Sequence, residues 1–173
     1  MGKKDIELSI YKFDNDLKDL VKRVGRSPVL RTSGNENSKP LIEWTDDFDI
    51  NVRELDGQNK ALVNKINELV YSLRGFSHQI RVYTILNELK DLIATNFLNE
   101  ETAMKIYEYH IYEMHKKKHT KLSKKVEKIV NKYSLDDIET IEKMTVFLKD
   151  WLTKHLTDED KEMGKYLNSK GVT

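Results

Sequence analysis

The sequence predicts an all-α protein, an antiparallel up-and-down four-helix bundle with an extra N-terminal amphipathic helix. Three observations lead there. The 173 residues contain only two prolines and seven glycines, and are rich in the helix formers Lys, Glu and Leu. Apolar residues recur at spacings of three and four along several stretches, the mark of amphipathic helices. The connections between the last four stretches are short, which makes consecutive helices antiparallel neighbours.

The chain begins with a helix over residues 4–24, where Ile10, Phe13, Leu17, Leu20 and Val24 form one stripe with charged flanks. Three heptads suit a helix docked on its own domain as well as one offered to a protein partner or a second copy. Residues 25–40 gather Gly, Ser, Asn and both prolines, as a linker does. The boundary is therefore placed near residue 40, giving segments 1–24, 25–40 and 41–173. From Leu41 to Val52 an extended arm is expected, anchored on the core by a buried Trp44.

The first bundle helix is expected over 54–74, with Leu55, Asn59, Leu62, Ile66, Leu69 and Leu73 facing inward. Arg74, Gly75 and Phe76 make the turn, and Ser77 suits an N-cap. The second helix, over 78–108, carries Val82, Leu86, Leu89, Ile93, Asn96, Glu100, Met104 and Tyr107. The chain must reverse near Tyr109–Ile111, although neither Gly nor Pro stands there. The third helix, over 112–132, presents His115, His119, Leu122, Val126 and Ile129. Ser134 with Asp137 resembles a capping box for the fourth helix, whose line is Ile141, Met144, Leu148, a buried Trp151 and His155. Thr157 with Asp160 reads as a second cap, at which the last helix restarts, and the tail from Asn168 has little to bury.

Composition narrows the function. Charged residues make up 34% with a net charge of +1, so the chain lacks the one-signed field of a nucleic-acid or membrane-surface protein. There is no cysteine, which excludes disulfides, iron–sulfur clusters and thiolate zinc sites. No apolar run is long enough to span a bilayer, the N-terminus has no signal-peptide core, and Ile6 stands where a myristoylation motif needs Ser or Thr. A cytoplasmic protein is expected.

The functional signal is polar residues on apolar lines. Glu100, His115, His119 and His155 occupy inward positions, with Asp160 close after. Buried ionisable groups need partners or a metal, and facing helices of a bundle build metal sites in this way. Three imidazoles and two carboxylates suit iron, manganese or zinc. By contrast, His78 and His110 fall at helix ends and read as capping or solvated groups. Lys116, Lys117 and Lys118 read as a solvated outer face, and Tyr107, Tyr109 and Tyr112 as packing residues.

These motifs together resemble the hemerythrin family in its bacterial form. The family has a Trp-anchored arm followed by Ile-Asp-x-Gln-His; here Trp44 precedes Leu55-Asp56-Gly57-Gln58-Asn59. Its His-Phe-x-x-Glu-Glu-x-x-Met is similar to Asn96-Phe97-Leu98-Asn99-Glu100-Glu101-Thr102-Ala103-Met104. His115 and His119 match its His-x-x-x-His, and Trp151, His155 and Asp160 match its last motif. The resemblance implies a non-haem iron protein that binds or senses a small ligand such as dioxygen, and not an enzyme. It implies that His115, His119 and His155 hold one iron and that Glu100 and Asp160 would bridge to a second. The family's two imidazoles on that second iron correspond to Asn59 and Asn96, which are weak neutral ligands. One metal per chain is therefore expected. A one-metal redox enzyme and a metal-free helical adaptor are the alternatives.

Overall fold

The computed structural model describes residues 39–74, 79–132 and 138–173. Four long helices form the bundle: α1 (Arg53–Arg74), α2 (Gln79–Ile106), α3 (Tyr112–Lys132) and α4 (Ile138–His155). A short helix, α5 (Lys161–Ser169), follows α4, and no strand occurs among the described residues. α1 packs on α2 and α4, and α2 packs on α3. The N-terminal helix over 4–24, the linker up to residue 38, the Ser77 cap with His78, and the Ser134–Asp137 cap lie outside the described residues.

The inward lines read from the sequence are buried except at Tyr107, Ile129 and Trp151, which are half-buried, and their apolar members divide into two clusters. The larger contains Leu62, Ile66 and Leu69 of α1, Leu86, Leu89 and Ile93 of α2, Leu122 and Val126 of α3, and Ile141 and Leu148 of α4. The smaller contains Ile50, Val52, Leu55, Met104, Tyr109, Met163 and Leu167. Between them each long helix contributes polar residues to one layer: Asn59, then Asn96 and Glu100, then His115 and His119, then His155.

The reversal near residue 109 is made without glycine. Glu108 takes a left-handed φ of 56°. The Tyr109 amide donates to Met104 and the Glu108 amide to Lys105, closing the helix with a Schellman motif. Tyr109 and Met104 then pack in the same cluster, the apolar contact that accompanies this motif. This ends α2 at Ile106, two residues before the expected 108.

The arm is largely irregular, with one 3-10 turn at Asp46–Phe48. Two side chains of α1 pin it. Asn67 accepts from the Ile42 amide at 2.9 Å and donates to its carbonyl at 2.8 Å. Asp56 accepts from the amides of Ile50 and Val52 at 2.8 and 3.2 Å. Trp44 lies edge-on to Phe48. Both Trp44 and Trp151 are half-buried, where the sequence suggested full burial. They cover the flank of the larger cluster and do not enter it.

The second cap does not form. Leu156–Asp160 continues the helix as a π turn, and the Thr157 hydroxyl donates back to the carbonyls of Thr153 and Lys154. A continuing helix leaves no free amide for Thr157 to cap. The tail is also better anchored than expected. The Asn168 amide donates to the Asn51 carbonyl at 3.2 Å, and Gly171, at φ 84°, allows Val172 to fold back on the smaller cluster.

Candidate metal centre

Glu100, His115, His119, His155 and Asp160 are all at most 2% exposed. Each offers one ligand atom, and those atoms all lie within 4.8 Å of one another. Helix periodicity brings His115 and His119 to one face of α3. The π turn brings Asp160 to His155. Five residues along an α-helix would leave the carboxylate roughly 140° away from the imidazole, whereas an i→i+5 turn places it above.

The three Nε2 atoms converge. Those of His115 and His119 lie 3.2 and 3.0 Å from that of His155. Asp160 Oδ1 is 3.3 Å from His115 Nε2 and 3.1 Å from His155 Nε2. Glu100 Oε2 is 3.2 Å from His119 Nε2 and 3.7 Å from His115 Nε2. With metal–ligand bonds of about 2.0–2.2 Å, adjacent corners of an octahedron stand about 3 Å apart. The donor spacing therefore fits a single ion. The carboxylate oxygens, though close to the imidazoles, have no aligned hydrogen-bond donor, and buried acceptors in that state are costly. Both observations favour a cation at this point.

The charges are interdependent. Burial pulls the His115 imidazole down, but Asp160 and Glu100 outweigh it and raise the group to about 9. Burial likewise pushes Asp160 up, and His155 and His115 outweigh it, holding this carboxyl well below the usual range. A metal ion would take over the positive charge that a proton on His115 otherwise supplies. Burial pushes the Tyr109 hydroxyl upward, and the charges of Glu162 and Asp160 add to the effect.

Aromatic and charged side chains complete the surroundings. Phe97 stacks flat on His119, with centroids 3.7 Å apart, and Trp151 stacks on His155 at 4.3 Å. Glu101 and Glu159 contact the outer nitrogens of His119 and His155. Lys116 and Lys118 contact those two carboxylates, so only part of the lysine run is a purely solvated face. Glu159 could have been noticed as the residue four after His155, and Glu101 as the second acid of Glu100-Glu101. His110 is exposed, beside the rings of Tyr109 and Tyr166.

Across the layer, Asn96 Nδ2 donates to Asn59 Oδ1 at 3.0 Å. Both amides are buried, and Asn59 Nδ2 finds no acceptor.

Residues 51–167 match the family model described as the hemerythrin HHE cation-binding domain. The chain belongs to the hemerythrin family. It is 28% identical over 130 residues to the bacteriohemerythrin of Methylococcus capsulatus, an alignment covering 75% of this chain and 98% of that one. It is 26% identical over 119 residues to the bacteriohemerythrin of Pseudomonas aeruginosa, covering 69% and 76%. A crystal structure of a hemerythrin variant superposes with a TM-score of 0.66 at 27% identity, covering 75% of this chain and 98% of that one. Non-haem iron is the cofactor of this family, and the His, Glu and Asp cluster of this chain could hold a metal. No described helix is long and apolar enough to cross a membrane.

Proposed function

We propose that this is a non-haem iron protein that binds or senses a small ligand such as dioxygen, with one iron per chain. His115, His119 and His155 hold the ion, and Glu100 and Asp160 supply carboxylate oxygens. The convergence of three imidazole Nε2 atoms and two carboxylates in a dry layer is the observation that carries the reading. The chain's own groups fix the imidazoles, neutralise the ion's charge and exclude bulk water. The bound iron supplies a redox-active centre at which a small ligand can bind. Asn59 and Asn96 bond to each other and serve as a polar filler, because amides replace imidazole ligands poorly. The reading is of a cytoplasmic binding protein, not an enzyme. Residues 4–24 form a separable arm for a protein partner or self-association, supported by the stripe from Ile10 to Val24.

Metal analysis of protein purified without chelator tests the reading. About one iron per chain is expected from the ligand count. Two tightly held irons would refute the role given to Asn59 and Asn96, and no metal after anaerobic loading with ferrous iron would favour a metal-free adaptor.

A further inference from the structure

Glu101 and Glu159 hold the same relation to two different imidazoles. Glu101 places Oε1 3.3 Å from His119 Nδ1, and its other oxygen 3.2 Å from Lys116 Nζ. Glu159 places Oε2 3.1 Å from His155 Nδ1, and its other oxygen against Lys118 Nζ. Each carboxylate thus joins an inner imidazole to an outer lysine. The pattern follows from helix geometry. Lys116 and Lys118 lie on α3 about 80° to either side of the line that bisects His115 and His119. One lysine therefore reaches α2 and the other reaches the π turn, while Lys117 points directly away. The carboxylates are largely buried, at 18% and 15% exposed, and the lysines are open to solvent. His115 differs, since its Nδ1 has no hydrogen-bond partner.

We infer that Glu101 and Glu159 are positioning residues that orient His119 and His155 and, together with Lys116 and Lys118, set which charge state of the metal the centre favours. An outer carboxylate accepting Nδ1–H fixes the tautomer, leaves the Nε2 lone pair facing inward and makes the imidazole a stronger donor. A stronger donor favours the more highly charged ion. Each lysine withdraws part of that negative charge and opposes the effect. The balance lies at the protein surface, where the lysines meet solvent. This inference rests on the iron reading above.

The test uses the full chain loaded with iron. Wild-type protein that takes up no iron would remove the reading itself. If wild type loads, Glu101→Gln and Glu159→Gln, which keep size and an acceptor but lose charge, should each weaken metal binding about 10–100-fold in a chelator competition. The double variant should also lower the ferric-over-ferrous preference by roughly tenfold, read as a midpoint potential about 59 mV higher. Lys116→Met with Lys118→Met should shift the potential the opposite way, and Lys117→Met should leave it unchanged. The lysine substitutions sit at exposed positions, so they test the sign even if a glutamine variant fails to fold. Equal potentials in all loaded variants, or shifts of one sign for both charge types, would reduce these residues to ordinary structural contacts and overturn the inference.

Discussion

The two sides of the buried polar layer are supported very differently. On the α3–α4 side, two of three imidazoles meet a carboxylate at the outer nitrogen, and two are covered by an aromatic face. On the α1–α2 side, two amides share a single hydrogen bond and the Asn59 NH2 group is left without an acceptor. Such a buried orphan costs about 1–3 kcal/mol. The first side is held from outside in a geometry that a cation would complete. The second satisfies itself only in part and needs no ion to do so.

The harshest way to break this comparison is to make each side apolar. His155→Leu should abolish stoichiometric metal binding, because the central imidazole of the cluster is lost and two carboxylates stay buried. Asn59→Leu with Asn96→Leu should keep about one metal per chain, and apolar replacement of both partners of a hydrogen bond is near neutral for stability or better. Metal analysis and thermal unfolding of both proteins check this, and loss of metal from the asparagine double variant would show that the amides take part in the site.

The comparison is sharpened by making the sides alike. Asn59→His with Asn96→His should add a second iron, since both positions are inward and buried and Asn96 precedes Glu100 by one turn of α2. An overpacking cost of about 1–3 kcal/mol is expected before metal offsets it. Iron-to-protein ratio and a new oxygen-dependent absorption band are the readouts. A folded double variant with a single iron would mean that the helices do not bring these positions within reach.

A smaller effect should come from the seam beneath the layer. A Cβ on Gly164 would stand 2.6 Å from Ile50 Cβ and 2.7 Å from its carbonyl oxygen. Gly164→Ala should destabilise the protein by about 1–3 kcal/mol. It should also weaken metal binding, because Gly164 lies one turn beyond Asp160. Unfolding midpoints with and without metal separate the two consequences. The smallest effect is expected from removing residues 1–40. The linker composition of 25–40 argues for few contacts across it, so helicity and metal content should be unchanged. A truncated protein that precipitates or loses its circular dichroism signal would place the arm in the core.

The helices and the inward positions of Asn59, Asn96, Glu100, His115 and His119 were legible because each follows from a period of 3.6 residues. The π turn was not, because a widened turn has no local composition signal. Thr157 and Asp160 imitate a cap at the same spacing. The left-handed Glu108 was likewise hidden, since glycine is the usual marker of such an ending. The Glu–Lys pairs escaped because they join α3 to α2 and to the π turn, and single-helix spacing says nothing about contacts between helices. Half-burial of Trp44 and Trp151 depends on where the bundle's edge falls, which is a property of the assembled helices.

The wide turn after His155 also bears on how the chain can change in length. An added residue in an α-helix normally rotates everything beyond it by about 100°. Here the extra residue between His155 and Asp160 is absorbed within the turn. Gly164, four residues past Asp160, still meets Ile50, and Leu167 still enters the smaller cluster. The segment thus acts as a ruler with two marks, one set by the candidate metal centre and one by the arm.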